Sequence, residues 1–541
     1  MEFPHLSSTN HVPLEAESRH ICALIESAED EQNRVRQELD ETRAKERSLV
    51  KRDSVLAERI RSLKAMVSAT RRTPPEILSS IFLLATGQSV DDLEVDQYDT
   101  EERDHARLPR ATNARAFLRV SQICSRWRDV AQTTPLLWRT LRFNLRPFSD
   151  IHADGVVNLI LHFAQLSQPY GLELDFYSHK EYTRGMPLAV LWSCGHQISS
   201  LELNVPGSAL APLIGLPAHA LHKLKRLEIN LSDATDSGLS GSIPGLACAQ
   251  HLEDLKLVLR SMNFIDRLLP EPPSSSWNAL RTLDLRSRHS INLSAVYSSL
   301  QSCHSLQQLA LRMDEVDESS GKRFEGILRF ENLVSFTLQI DYDNGEDDHM
   351  MTFVMPLFAP QLAALSLKGT FPLEAVAEFL EHSNMPPIST LRLESCVRGD
   401  TNLRGALLNV LRRVPLVETL ALGLQLSPGV DDAFLRALTL QPGTAGIRTA
   451  EVFLPALRTL VIAESEGALN AGAVADMVES RQIHTGNLTA GTAGTLPGRC
   501  LESMTVSVLR VRRIWLHDVA WPRIAALESA GILHLSSSSS S

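Results

Sequence analysis

Leu280-Arg281-Thr282-Leu283-Asp284-Leu285 decides the architecture. The hexad ends in an apolar-polar alternation that suits a short strand with one buried face. The same spacing, apolar-x-x-apolar-x-apolar, recurs at Ile198/Leu201/Leu203, Leu224/Leu227/Ile229, Leu252/Leu255/Leu257 and Leu306/Leu309/Leu311. It continues at Leu333/Phe336/Leu338, Leu362/Leu365/Leu367, Ile388/Leu391/Leu393 and Val417/Leu420/Leu422, with successive starts 26 to 29 residues apart. So regular a period predicts a solenoid, in which each unit buries its apolar face only by stacking on its neighbours. Between hexads, Leu373, Val376, Ala377 and Leu380 form one helical stripe, and Leu403, Ala406, Leu407, Val410 and Leu411 form another. Further along the rhythm loosens. Hexads are expected at Leu457/Leu460/Ile462 and Val506/Leu509/Val511, with an inserted Gly/Thr/Ala-rich loop at about 485–498.

Strand, turn and helix at this period resemble a leucine-rich repeat. The expected fold class is therefore α/β, with a right-handed leucine-rich-repeat-like solenoid over 150–535 and a disordered Ser tail at 536–541. One departure stands out. Leucine-rich repeats place Asn or Cys three residues beyond the hexad to satisfy turn backbone groups, and here only Cys396 fits. The turns must be closed by other means.

Upstream, a seven-residue pattern runs from Ile21 to Val67. Its seam is Ile21, Ile25, Ala28, Gln32, Val35, Leu39, Thr42, Glu46, Leu49, Asp53, Leu56, Ile60, Leu63 and Val67. Neither Pro nor Gly interrupts the stretch from Leu14 to Met66, so a long amphipathic or coiled-coil helix is expected over 15–70, after a disordered 1–14. The seam suits either self-association through residues 21–67 or packing as a single amphipathic helix. Glu46 and Asp53 disfavour a stable parallel dimer, because a charge on the seam must be solvated or paired.

Residues 71–86 read RRTPPEILSSIFLLAT, and Ile77, Leu78, Ile81 and Phe82 lie close together on one helical face. Prolines cost little in a first helical turn. An acidic stretch follows, read as a solvated loop at about 87–113. Val120, Ile123, Cys124, Trp127 and Ala131 then recur at helical spacing until Thr134-Pro135, and Leu137, Trp138 and Leu141 form a last apolar group.

The paired segments resemble the F-box family, particularly the F-box-like proteins abundant in fungi. The likeness rests on Pro74, Pro75, Glu76, Ile77, Leu78, Ile81 and Phe82, followed by Val120, Ser121, Cys124, Trp127, Arg128, Thr134, Pro135, Leu137 and Trp138. Thr73 stands where the family usually has Leu, and the acidic stretch separates the two halves. The resemblance implies a three-helix module over 71–145 that docks on the Skp-type adaptor of a cullin–RING ubiquitin ligase. The docking set it implies is Pro74, Pro75, Ile77, Leu78, Ile81, Phe82, Val120 and Cys124, with Trp127 and Trp138 in the module's core. A module this small cannot bury every apolar side chain, so part of the docking set should stay open.

Composition narrows the function. Hydrophobic residues are 43% and charged residues 22% of the chain, an ordinary globular balance, and the net charge of −11 opposes nucleic-acid binding. No apolar run is long enough to span a membrane, and the first ten residues lack a secretory layout. Seven scattered cysteines with no C-x-x-C pair fit reduced thiols, so residence inside the cell, cytoplasmic or nuclear, is expected. No nucleotide, zinc-protease or serine-hydrolase motif occurs. Residues 341–349 look like a calcium loop but have Thr352 where the closing ligand belongs. No catalytic, cofactor or metal site is expected. The function expected is that of a ligase adaptor whose solenoid holds a protein substrate. The alternative is an interaction scaffold, outside any ligase, that self-associates through its N-terminal helix.

Overall fold

The computed structural model describes residues 12–67, 69–87, 110–111, 114–144, 153–177, 190–217, 219–231, 246, 249–259, 277–288, 291, 293–314, 326–341, 349–396, 403–423, 429–440, 453–463, 469–483, 501–507 and 518–536. The acidic stretch at 91–104, the loop at 485–498, most of the calcium-loop look-alike and residues 537–541 of the Ser tail lie outside them. The chain divides into two compact units, residues 1–81 and 82–541.

The first unit is dominated by one helix, α1 (Glu15–Met66), 52 residues long. Its first turn carries Glu15 and Glu17 and its last turn Lys64, the signs that a helix dipole favours at each end. The Glu17 carboxylate accepts the Leu14 N–H at 2.9 Å and so satisfies one of the donors orphaned at the helix start. None of its residues is buried. A short turn of helix, α2 (Ala69–Arg72), leads to α3 (Pro75–Gly87), whose later residues belong to the second unit.

The second unit continues with α4 (Ala114–Gln122) and α5 (Ser125–Gln132). The sequence pattern predicts a single helix across Val120 to Ala131, and the structure corrects this. Cys124 is extended, with φ −159° and ψ 168°, and its Sγ accepts the Trp127 N–H at 3.5 Å, so it caps a new helix. Arg128 Nε donates back to the Ser121 carbonyl at 3.1 Å and ties the two helices together.

One 15-stranded sheet forms the body of this unit. Its parallel strands are β2 (Thr140–Asn144), β3 (Leu172–Tyr177), β4 (Ile198–Val205), β5 (Arg226–Leu231), β6 (Asp254–Leu259), β7 (Thr282–Ser287) and β8 (Gln308–Met313). They continue as β10 (Ser335–Ile340), β12 (Ala364–Thr370), β13 (Thr390–Cys396), β14 (Thr419–Leu422), β15 (Thr459–Ala463), β16 (Ser503–Ser507) and β17 (Leu533–Ser536). All stack in chain order, and β1 (Arg110–Ala111) pairs antiparallel with β2, covering the first edge. Two short strands, β9 (Leu328–Arg329) and β11 (Leu357–Phe358), form a separate parallel pair.

Register explains the hexads. Leu201, Leu227, Leu255, Leu283, Leu309, Phe336, Leu365, Leu391, Leu420, Leu460, Met504 and Leu533 are successive ladder partners, and all are buried. Each such side chain contributes about 1.5–3 kcal/mol relative to exposure, and only because its neighbours are present. The stripes on Leu373–His382 and Leu403–Arg412 are buried as their spacing predicts.

Each of eight hexads is entered through an apolar lead-in turn. The N–H of the first hexad residue bonds the carbonyl three residues earlier in Leu224→Leu221, Leu252→Ala249, Leu280→Trp277, Leu306→Cys303, Leu333→Phe330, Leu362→Ala359, Val417→Val414 and Leu457→Leu454. All eight of these earlier residues are buried. A single carbonyl then accepts two N–H groups from the next repeat. Lys225, Glu253, Arg281, Gln307, Val334, Ala363, Ser389, Glu418 and Arg458 all do so. The turn that enters each of these strands is therefore closed through the backbone.

Four boundaries differ from the sequence reading. The parallel ladder begins at Thr140, inside the stretch assigned to the F-box-like module, and Arg110–Ala111, placed in the acidic loop, is a strand. The last-but-one hexad is Leu501/Met504/Val506 rather than Val506/Leu509/Val511, since β16 covers 503–507. A final strand through Leu533 and Ser536 follows, which places Ser536 in the sheet.

Candidate interaction surfaces

Helix α3 sorts the docking residues onto two faces. Leu78 and Phe82, one turn apart, are each 1% exposed, while Ile77 and Ile81 are 52% and 47% exposed, and Leu84, one turn beyond Ile81, is 67% exposed. Phe82 packs on Trp127, ring centroids 4.9 Å apart. Two members of the expected docking set, Leu78 and Phe82, are thus buried, and the others differ in exposure. Ile77 and Ile81 form an exposed ridge that Leu84 extends, with Pro74 and Pro75 exposed at its start. Val120 is half-buried and Cys124 exposed. Sequence spacing groups these four apolar positions together; only burial separates them.

Trp127 is half-buried, and Trp138 is 1% exposed. The Trp138 indole N–H donates to the Ala131 carbonyl at 2.7 Å, and its ring meets the edge of Phe163 at 5.0 Å. Trp138 therefore joins α5 to the helix Ala153–Leu166, at the point where the first parallel strand begins.

The second surface is the polar face of the parallel strands. Ladder register aligns Arg142, Asp175, Glu202, Glu228, Lys256 and Asp284 in one row across β2 to β7. The charges are largely paired with one another. Arg142 reaches Asp175 at 3.5 Å, Lys256 bridges to Glu228, and Asp284 meets Arg286 at 2.8 Å and Arg312 at 3.2 Å. A shallow hollow of about 340 Å³ opens here, lined by Arg226, Glu228, Asp254, Lys256, Asp284 and Gln308 among others. Beyond it the same row becomes small and uncharged at Ala310, Thr337 and Ser366. Such a face offers fixed, directional polar contacts to a protein surface.

Crowding shows in the titration of Asp175. Burial, then the neighbouring carboxylate of Glu202, pushes it up to about 6, against a smaller opposing pull from Arg142, and Glu202 is raised by burial and then by the carboxylate of Glu228. A carboxyl whose pKa is raised on folding contributes stability below its unfolded value, about 4, and loses that contribution as pH climbs through about 6. Asp175→Asn should therefore raise the melting temperature at pH 7, with the advantage shrinking to nothing near pH 4. Paired thermal melts at the two pH values check this, and an equal gain at both contradicts it.

The described residues hold no His/Cys/Asp/Glu group able to bind a metal, and no helix among them is long and apolar enough to cross a membrane. Cys22, Cys124, Cys194 and Cys303 are free thiols. Burial pushes Cys194 up to about 11 and Cys303 up to about 12, so neither is a nucleophile at neutral pH.

No protein-family model matches the chain, and no curated protein matches it either. Among solved structures, an internalin from Listeria monocytogenes is similar at 14% identity, with 69% of this chain and 97% of that chain covered and a TM-score of 0.31. The fold class stands on the ladder itself. The chain is a leucine-rich-repeat-like α/β solenoid preceded by a long N-terminal helix, an architecture suited to binding proteins.

Proposed function

We propose that the chain is the substrate-recognition adaptor of a cullin–RING ubiquitin ligase. In this reading Pro74, Pro75, Ile77 and Ile81 dock on the Skp-type adaptor, and the strand face holds a protein substrate. The chain supplies proximity, and ubiquitin transfer happens elsewhere. The observation that carries the reading is the divided helix α3. One apolar strip is buried at Leu78 and Phe82, and the adjoining one, about 100° round the helix, is left exposed at Ile77, Ile81 and Leu84. Large apolar side chains held rigidly in water are what a partner-binding ridge requires.

Binding to a purified Skp-type adaptor, measured by calorimetry, tests it. The double variant Ile77→Ala/Ile81→Ala should lose about 2 kcal/mol or more of binding, roughly thirtyfold in Kd, with an unchanged melting temperature. Leu78→Ala should instead cost about 3 kcal/mol of folding stability. Undiminished binding by the double variant would remove the ridge from the interface.

A further inference from the structure

Helix α1 carries a charge pattern that the adaptor reading does not use. From Glu15 to Glu41 it has nine acids and three Lys/Arg residues; from Thr42 to Lys64 it has eight Lys/Arg residues and three acids. The helix is acidic in one half and basic in the other. Along it runs the seven-residue seam, about 70 Å long at 1.5 Å per residue. None of it is buried, and Leu39, Leu49, Leu56 and Ile60 are each close to half exposed. A seam sustained over seven heptads is well past the three to four that mark a coiled coil.

We propose that α1 pairs with α1 of a second copy, antiparallel, about a two-fold axis near Ala44. Two features select a second copy in this orientation. Reversing one helix lays the acidic half of each copy on the basic half of the other, whereas a parallel pair stacks like on like. The seam acids decide more sharply. In a parallel pair Glu46 meets Glu46 and Asp53 meets Asp53 across the interface, two like-charge contacts at buried positions. In the antiparallel register centred on Ala44, Glu46 lies opposite Thr42 of the second copy, beside its Arg43 and Lys45, and Asp53 lies opposite Val35.

The remaining layers become Ile21 with Val67, Ile25 with Leu63, Ala28 with Ile60, Gln32 with Leu56, and Leu39 with Leu49. Every layer but the two that hold the acids then contains two apolar residues or one apolar residue with Gln. The flanking positions attract away from the axis, while on it Lys45 meets Lys45 and Arg43 meets Arg43 of the second copy. Glu31 pairs with Arg59, Glu38 with Arg52, and Leu24 with Met66, each pair occurring twice by symmetry. A parallel pair gains Glu31 with Arg36 and Glu38 with Arg43 and sets Arg59 against Lys64, so the flanks are balanced between the orientations and the seam acids and charged halves decide. The assembly presents two solenoids, so a substrate with two recognition segments would be held at both.

Charge exchange in the full-length chain tests orientation and occupant together. Sedimentation equilibrium should find a dimer for the wild type. Glu38→Arg alone, and Arg52→Glu alone, should each weaken it about tenfold, because two attractive pairs become repulsive. Glu38→Arg/Arg52→Glu should restore the wild-type Kd, and Glu38→Arg/Arg43→Glu should not. The variants lie on an exposed helix, so the circular dichroism of the chain should not change. A wild-type monomer, showing that the seam is covered within one chain or left bare, overturns the proposal. So does rescue by Glu38→Arg/Arg43→Glu alone, the parallel result, or a dimer indifferent to every exchange.

Discussion

Trp138→Ala should lower the stability of the second unit by about 3–5 kcal/mol, the largest single effect expected in this chain. The indole is 1% exposed, donates its N–H to the Ala131 carbonyl at 2.7 Å, and lies edge-on to Phe163 at 5.0 Å. Truncation opens a cavity where three elements meet and removes the indole's bond to the Ala131 carbonyl, which then keeps only the Thr134 N–H at 3.1 Å. Trp138→Phe keeps much of the volume and loses the hydrogen bond, so it should fall between the two. Urea denaturation of the full chain separates the three proteins; a midpoint for Trp138→Ala within error of the wild type would contradict this role.

Arg481→Leu should cost about 3 kcal/mol although Leu matches a buried site better than Arg does. Arg481 is 1% exposed on the helix Ala471–Ile483, and burial lowers its pKa to about 10, which leaves it charged at neutral pH. Its guanidinium donates to the carbonyls of Leu438 at 3.0 Å, Leu454 at 3.0 Å and Phe453 at 2.9 Å. Leu454 sits at φ +49°, a conformation that a branched side chain adopts only when held there. The guanidinium thus supports the lead-in turn of β15, and its fork matches three acceptors that a Lys cannot span. Arg481→Lys should recover little. Denaturation midpoints for both variants check this, and full stability in Arg481→Lys would show that charge alone suffices.

How far the sequence carried the account depends on which residues stood at each repeat position. From Ile198 to Ile462, where the hexad positions are aliphatic except Phe336, alternation places the strands at the buried positions found in the ladder. Trp138-Arg139-Thr140-Leu141-Arg142-Phe143 has the same pattern as Leu457-Arg458-Thr459-Leu460-Val461-Ile462, with aromatic residues at two apolar positions. Its Trp also belongs to the F-box likeness, so the pattern alone does not single out the first strand. Strand β3 escaped because its register shifts between Leu172 and Glu173, which brings the first apolar residue one position closer to Leu174. The lead-in turn is legible as a fourth apolar residue three places before most hexads, as at Leu221, Trp277 and Phe330.

The docking ridge is a different matter. Ile77, Leu78, Ile81 and Phe82 have the same chemistry and neighbouring positions on one helix, so no periodicity tells anchor from contact. Which two point inward depends on what the fold brings against them. The antiparallel charge halves of α1 needed no coordinates, yet they gain meaning only once the helix is known to be exposed along its length.

The most direct test of the adaptor account is titration of the full-length chain with a purified Skp-type adaptor. The account predicts saturable binding with one adaptor per chain, lost in Ile77→Ala/Ile81→Ala and kept in Asp175→Asn, whose change lies on the strand face. Absence of any binding heat at about 100 μM of each partner, where even a Kd of about 10 μM would register, would contradict it.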